Sequence, residues 1–159
     1  MGNIFSGSEI VEMGIQIEKN GKAFYDRLTE KSSNGEAKDI FKFLAGEEEK
    51  HIVLFKKILE AVGKFQPQET YPGEYYEYMN ALAGEYIFTQ KGKGQEVAAG
   101  VKDDKDAVNL GIGFEKDSII FYDGLKRVVP EYDQKTVDTL ITEEKAHLRK
   151  LYGLKRKIG

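Results

Sequence analysis

An internal repeat is the feature that most limits how this chain can fold. The segment Met13 to Leu28 aligns without gaps on Leu110 to Leu125, with eight of sixteen positions identical. Ordinary residue frequencies would give roughly one match by chance. A second pair of segments, Leu44 to Ile52 and Leu140 to Leu148, matches at nearly the same offset. Two copies of a two-element unit favour a closed, duplicated domain over an open solenoid.

All four repeated elements show helical periodicity, since apolar residues recur in each at alternating steps of three and four. A short turn from Ser32 to Gly35 separates the first two helices, and Pro130 ends the third. The remaining boundary signals are predicted caps, namely Ser6 with Glu9 for the first helix, Gly63 for the end of the second, Asp103 or Asp104 for the third and Asp133 for the fourth.

The segment 64–102 breaks this pattern, because prolines and glycines interrupt a Tyr-rich stretch. We interpret it as a long crossover that contains one or two short helices and runs the length of the bundle. The predicted fold is all-α: an antiparallel four-helix bundle of two helix hairpins, forming a single domain over residues 1–159.

Four glutamates and both histidines of the chain lie on the otherwise apolar helix rows. Within each repeat, one helix carries a single glutamate and the other carries Glu-x-x-His, whose two side chains project from one face. Antiparallel hairpins would bring all six to one level of the bundle. The candidate site residues are therefore Glu18, Glu48, His51, Glu115, Glu144 and His147.

Electrostatics indicates what these residues hold. An unpaired carboxylate in a protein interior costs several kcal/mol, and four together also repel one another. No lysine or arginine lies on these rows. Two divalent cations would cancel four carboxylates, and carboxylate with imidazole suits iron, manganese or zinc. A glutamate from each of two helices with Glu-x-x-His from each of the other two is the known pattern of dinuclear carboxylate bundles.

Other acidic residues nearby are not expected to bind the metals. Glu47, Glu49 and Glu143 fall off the apolar rows and are predicted to be solvated. Glu85 lies in the crossover and could reach the site only if the crossover folds back over it.

Tyr25 and Tyr122 each lie seven residues after a single glutamate, two turns along the same row. They are either core aromatics or partners of a ligand carboxylate, since a buried phenol needs a hydrogen-bond partner. The small residues that flank the single glutamates leave room for a bound molecule or allow close helix packing; these are Gly14, Gly21, Gly111 and Ser118.

Composition excludes several other functions. The chain has no cysteine, which removes thiol catalysis, disulfides, iron–sulfur clusters and Cys-based zinc sites. A net charge of -3 with mixed signs argues against nucleic-acid binding. No apolar run approaches the ~20 residues of a membrane span, and the N-terminus lacks the features of a signal peptide. We therefore expect a cytoplasmic protein.

The site residues, with the repeated EK-x5-FYD-x-L context around Glu18 and Glu115, resemble the ferritin-like superfamily and most closely the rubrerythrin-like di-iron proteins. The resemblance implies that the carboxylates and histidines bind two irons and that Tyr25 and Tyr122 bond to ligand carboxylates. It further implies reaction with hydrogen peroxide or dioxygen. Many rubrerythrins carry a Cys-rich rubredoxin domain, and this cysteine-free chain would need a separate electron-donor protein. Rubrerythrins also place a further carboxylate near the third-helix glutamate, where this chain has Ile112 and Ser118.

Three functions follow from the sequence. The first is a di-iron oxidoreductase that reduces peroxide or dioxygen, as part of a response to oxidative stress. The second is iron handling by ferroxidase chemistry; because the chain ends soon after His147, we expect no ferritin-type cage. The third is a structural bundle around a redox-inert pair of zinc or manganese ions. Exposed aromatics in the crossover make a homodimer our expected assembly.

Overall fold

The computed structural model describes residues 7–64 and 73–158, and most of these residues are helical. No strand occurs in those ranges, as the sequence predicts. Two 3-10 turns lie in these ranges, at Ile87–Thr89 and at Lys126–Val128. The six α-helices are α1 (Gly7–Lys31), α2 (Gly35–Lys64), α3 (Gly73–Glu85), α4 (Lys93–Ala99), α5 (Asp104–Leu125) and α6 (Glu131–Ile158).

Four of these helices form the bundle. Helices α1, α2, α5 and α6 contain 25, 30, 22 and 28 residues. Helix α1 packs along α2, and α5 packs along α6, so each half of the repeat forms one hairpin. Contacts between α1 and α5 and between α2 and α6 close the bundle. The predicted architecture is therefore confirmed.

The helix boundaries follow local capping chemistry. Asp103 caps α5 as predicted, since its side chain accepts a hydrogen bond of 2.8 Å from the backbone N–H of Asp106. Asn34 does the same for α2, accepting a bond of 2.9 Å from the N–H of Ala37. The two polar side chains satisfy N–H groups that the first turn leaves without a helical partner.

Other boundary predictions differ from the structure by a few residues. Helix α2 continues one residue past Gly63, and α6 begins at Glu131, so Asp133 lies inside its first turn and does not cap it. Helix α5 ends before Pro130, at Leu125, because the chain tightens into a 3-10 turn there. Ser6, half of the predicted capping box, lies outside the described residues.

The crossover contains two short helices, as predicted. Hydrogen bonds from Asn20 on α1 attach it to the bundle. The Asn20 side-chain amide donates to the carbonyl oxygens of Phe88 at 2.7 Å and Gln90 at 2.6 Å, and its oxygen accepts from the N–H of Gly94 at 3.0 Å. Helix α4 lies so close to α1 that a Cβ at Gly94 would sit 1.9 Å from the Asn20 carbonyl oxygen. These bonds place the crossover against the single-glutamate helix.

Within the described ranges, no helix combines the length and the apolar character that crossing a membrane requires.

Candidate metal centre

The six predicted site residues converge in the middle of the bundle. Each is at most 4% exposed, although all six are polar or charged. Helices α1 and α5 supply one glutamate each, and α2 and α6 supply a glutamate and a histidine each. Apolar side chains from the same rows surround them, including Phe41, Phe55, Leu44, Leu140 and Leu151. The repeat thus builds a polar cluster with approximate two-fold symmetry inside an apolar core.

The cluster divides into two groups that overlap. One group contains Glu18, Glu48, His51 and Glu144, and within it one ligand atom from each residue lies within 4.8 Å of the others. The second group, of the same size, contains Glu48, Glu115, Glu144 and His147. Both groups share Glu48 and Glu144. A carboxylate has two oxygens, so the shared pair can serve two adjacent cations at once.

Glu144 lies between the two histidines. One of its oxygens, Oε1, is 2.8 Å from Nδ1 of His51, and the other, Oε2, is 3.7 Å from Nδ1 of His147. The imidazole rings are stacked, with centroids 5.7 Å apart and planes 18° from parallel. Both histidines therefore turn the same ring nitrogen toward one carboxylate, and each is associated with a different oxygen of it.

Polar atoms without a hydrogen-bond partner are concentrated in this cluster. Among the described residues, six buried side-chain atoms lack a partner, and the cluster holds all but Asp133 Oδ2. Burying polar atoms without hydrogen bonds is costly, so each needs a reason, and this includes Nδ1 of His51 and Oε1 of Glu144, which lie at ion-pair distance without a hydrogen bond. The five are good metal donors that point into one cluster, and they fit a pair of bound cations; they are Glu18 Oε2, His51 Nδ1, Glu115 Oε2, Glu144 Oε1 and His147 Nδ1.

No basic side chain neutralises the glutamates. Among the described residues, lysine and arginine form no ion pair with any of the four, and only the two histidines are close. The donor set of four carboxylates and two imidazoles therefore suits two divalent cations, and it has the composition of a dinuclear metal site.

Burial and mutual repulsion disturb the protonation of the metal-free cluster. Desolvation, reinforced by the charge of Glu144, raises the pKa of Glu18 to about 7. The same two causes raise the pKa of Glu115 well above its ordinary value. The metal-free protein therefore keeps protons on these two carboxyl groups at pH values where an exposed glutamate would already be ionised.

The pKa values of Glu144 and His51 are shifted in the directions that favour their charged forms. Burial opposes the charge of Glu144, but contacts with Glu115 and both histidines outweigh it and hold the pKa below its usual range. Burial also lowers the pKa of His51, yet the nearby carboxylates of Glu144 and Glu18 raise it to about 11. Without metal, Glu144 and His51 form a buried ion pair. Protons on Glu18 and Glu115 then neutralise the negative charge that bound cations would otherwise neutralise.

Both predicted tyrosines are fully buried and bond to site carboxylates. Tyr25 donates to Glu115 at 2.7 Å, and Tyr122 donates to Glu18 at 2.6 Å. Each bond crosses from one hairpin to the other. Hydrogen bonds of this kind orient a carboxylate and leave its second oxygen available to a metal.

Glu143 is partly solvated, as predicted, but it also contacts a site histidine. Its side chain is 42% exposed, and its Oε2 lies 2.5 Å from Nε2 of His51. A metal-binding histidine commonly donates its other ring N–H to a carboxylate, which fixes the tautomer. Here Nδ1 of His51 faces the cluster while Nε2 faces Glu143. Glu47 and Glu143 are equivalent positions of the repeat, but this equivalence does not indicate the contact with His51.

The other nearby acids lie outside the cluster. Glu49 and Glu85 are exposed, as predicted for Glu49 and as expected if the crossover keeps Glu85 away from the site. Glu47 corrects one of our predictions, because a solvated side chain is predicted and only 16% of it is exposed. It forms a 3.0 Å ion pair with Lys50 and lies close to His51 and Glu143.

Close packing explains the glycines that flank the single glutamates. A Cβ at Gly21 would lie 3.1 Å from Oε2 of Glu48, and one at Gly111 would lie 3.2 Å from Cδ1 of Leu151. Gly14 faces Phe55 at a similar distance of 3.1 Å. Larger residues would displace a site carboxylate or the apolar side chains around it.

Tyr86 is a residue near the site that sequence reasoning missed. It follows α3 in the crossover, is 5% exposed, and places its hydroxyl 2.8 Å from Oγ of Ser118. The periodicity of the four long helices contains no information about the register of the crossover, which explains why this contact could not be anticipated.

Comparison with known proteins agrees with the geometry. A chain described as a ferritin-like diiron-carboxylate protein from Thermotoga maritima has a similar structure, with a TM-score of 0.70. It is 30% identical to this chain, and the match covers 100% of both chains. A search of curated proteins gave no match. A family model described as Rubrerythrin matches residues 9–155, and the chain therefore belongs to the rubrerythrin family.

Proposed function

We propose that the protein binds two iron ions in the cluster and reduces hydrogen peroxide or dioxygen, with electrons from a separate donor protein. The observation that supports this proposal most strongly is the overlap of two donor groups through Glu48 and Glu144. Such an overlap suits a pair of adjacent cations better than two independent sites. The name of the similar Thermotoga maritima chain, a diiron-carboxylate protein, favours iron as the metal.

In this proposal Glu18, Glu48, His51, Glu115, Glu144 and His147 are the metal ligands. Two ferrous ions would supply the two electrons that break the O–O bond of hydrogen peroxide, which takes up two protons and leaves as two waters.

The protein contributes orientation and exclusion of solvent. Tyr25 donates a hydrogen bond to Glu115, and Tyr122 donates one to Glu18. Glu143 lies in contact with Nε2 of His51, the ring nitrogen that faces away from the cluster. The site residues are at most 4% exposed, so little water reaches the cluster. A water-poor site strengthens electrostatic interactions and limits side reactions of oxidised intermediates.

Rapid mixing without oxygen tests the proposal. Protein loaded with two ferrous ions per chain is mixed with hydrogen peroxide, and the absorbance of ferric iron is followed. We expect oxidation of both irons within seconds, and a parallel experiment with dioxygen compares the two oxidants. Absence of oxidation by either would contradict the proposal. Zinc-loaded protein serves as the redox-inert control.

Metal analysis of protein purified from its own host tests the metal assignment. We expect two irons per chain. Two zinc ions without iron would instead favour the structural bundle.

A further inference from the structure

The crossover covers one side of the bundle and leaves another side open. Helix α4 and the 3-10 turn Ile87–Thr89 pack on α1, and α3 packs on α5. Within the described ranges, these crossover elements make their main contacts with α1 and α5 and not with α2 or α6. Helices α2 and α6 meet each other across a groove, where Lys157 pairs with Glu36 at 2.6 Å and Lys150 contacts Phe43. We call this outer surface of α2 and α6 the open face.

The two histidines of the metal centre lie behind the open face, and they are covered differently. Nε2 of His51 contacts Glu143. The ring of His147 instead meets the ring of Phe43 edge-on, with centroids 6.2 Å apart and planes 87° from parallel. The position equivalent to Phe43 in the repeat is Thr139, so this contact breaks the approximate two-fold symmetry of the centre. Phe43 is 45% exposed and His147 is 3% exposed, so one aromatic ring separates solvent from a candidate metal ligand.

Positive charge is concentrated on the half of α6 that contacts Phe43. Nζ of Lys150 lies 4.8 Å from the centroid of the Phe43 ring, at the distance of a cation–π contact. Lys150 belongs to the segment 145–158, which has six basic residues and no acidic one, although the whole chain has a net charge of -3. Within the described part of the chain, only Lys157 of these six forms an ion pair. The other five leave a positive region that attracts negatively charged proteins; they are Lys145, Arg149, Lys150, Lys155 and Arg156.

Resting on the proposed function, we propose that the electron donor docks on the open face over Phe43, and that it is an acidic protein with a one-electron redox centre. The basic residues of α6 attract an acidic partner, and Phe43 supplies an aromatic contact of the kind that is enriched in protein interfaces. Docking there brings the redox centre of the donor within one aromatic ring of His147. Each encounter oxidises one donor centre and reduces one ferric ion to ferrous, so two encounters restore the two electrons that one hydrogen peroxide consumes.

Binding to the zinc-loaded protein tests the surface without turnover. The probe is a plant-type ferredoxin, a small acidic protein with one 2Fe–2S cluster, and its binding is measured by titration calorimetry at low ionic strength. Lys150→Glu reverses a charge beside Phe43, and we expect the affinity to fall by about tenfold or more. Lys91→Glu makes the same change in net charge at an exposed position of the crossover and should have a much smaller effect. Absence of binding by the wild type, or equal weakening by both variants, would overturn the proposal.

Electron transfer tests the role of Phe43. Diferric protein is mixed with reduced ferredoxin in the absence of oxygen, and the loss of ferric absorbance is followed. Phe43→Ala removes the ring, and we expect reduction to slow by about tenfold or more, as for a central interface residue. Phe43→Tyr keeps the ring and should recover most of the rate. Val53→Ala, at a position of α2 that is 49% exposed, is the control. An unchanged rate of reduction in Phe43→Ala would overturn the docking position.

Reduction by dithionite separates docking from an effect on the metal centre. Dithionite is a small reductant that needs no docking surface, so it should reduce wild type and Phe43→Ala at equal rates. If Phe43→Ala slows reduction by dithionite and by ferredoxin by the same factor, the ring acts only by supporting His147, and the proposal is wrong. These failures differ from failure of the proposed function, in which the diferrous wild type would not be oxidised by hydrogen peroxide or dioxygen.

Discussion

The hydroxyl of Tyr122 on α5 donates to Oε1 of Glu18 on α1, at 2.6 Å and across 104 residues of chain. The equivalent bond in the other half of the repeat runs in the opposite direction, from Tyr25 on α1 to Glu115 on α5. Each single-glutamate helix thus supplies both a carboxylate and the phenol that orients the carboxylate of its partner. This exchange couples the position of the site carboxylates to the packing of the two hairpins.

Removing one of these hydroxyls should weaken metal binding more than it weakens the fold. Tyr122→Phe keeps the ring in its place but leaves Glu18 without its donor. Since partners of ligand carboxylates typically contribute ~10–100-fold to metal affinity, we expect a loss of that size, measured by competition with a chelator of known affinity.

Two comparisons make the Tyr122 experiment decisive. Tyr25→Phe should give a loss of similar size, because its bond to Glu115 is equivalent by the repeat. Tyr152→Phe, whose side chain is 56% exposed, should have no effect. Unchanged metal affinity in both buried variants would show that the two tyrosines contribute only to core packing.

Truncation of Glu144 should abolish binding of the metal pair. Glu144 belongs to both donor groups, so Glu144→Ala removes a ligand from each. Glu49→Ala is the control, because Glu49 lies on the exposed face of α2 and belongs to neither donor group. Metal per chain, measured after dialysis against excess zinc, should fall below two in Glu144→Ala only. Two tightly bound metals in that variant would contradict the ligand assignment.

The fold and the six converging residues could be predicted because the repeat and the helical period contain that information. The period places Glu48 with His51, and Glu144 with His147, on the inner faces, and the repeat sets the relative heights of the hairpins. The contact between Glu143 and His51 depends on how α2 and α6 are rotated about their axes. That rotation arises from packing across the bundle, which no pattern along one helix describes.

The crossover was less predictable for a different physical reason. Its position depends on Asn20, whose three bonds reach backbone groups of Phe88, Gln90 and Gly94. A side chain that binds backbone leaves no complementary residue in the sequence to reveal its partner. The location of Tyr86 beside Ser118 is a consequence of that attachment.

Glu143 should tune the affinity through His51. Glu143→Ala removes the acceptor of the His51 Nε2 proton, and we expect metal affinity to fall by ~10–100-fold. Glu143→Gln retains an oxygen that can accept this bond and should recover part of the loss. If Glu143→Ala binds metal as wild type does, the contact is a surface ion pair without influence on the site.

The metal-free protein should become less stable as pH rises above the acidic range. The pKa of Glu18 is raised from 4.5 to about 7, so across that window the folded protein binds more protons than the unfolded chain. His51, raised from 6.5 to about 11, has the same effect at higher pH. Each excess bound proton lowers the free energy of unfolding by about 1.4 kcal/mol per pH unit.

Urea unfolding of the metal-free protein at about pH 5 and about pH 9 measures this dependence. Glu18→Gln removes the titrating carboxyl and should flatten the part of the curve below neutrality. Metal affinity should change in the opposite direction and rise with pH, because the ligands must lose their protons to bind. A metal-free protein whose stability rises with pH would contradict the protonation pattern.

The attachment of the crossover to α1 gives the last prediction. A Cβ at Gly94 would meet the backbone of Asn20 at 1.9 Å, and backbone cannot move aside as a flexible side chain can. Gly94→Ala should therefore destabilise the protein by roughly 1–3 kcal/mol or more, in the range of overpacked sites. Gly113→Ala on α5, where a Cβ meets nothing within 4 Å, should instead stabilise it by about 0.5–1 kcal/mol through helix propensity. Thermal unfolding of both variants measures the difference, and equal melting temperatures would show that α4 does not pack on α1 this closely.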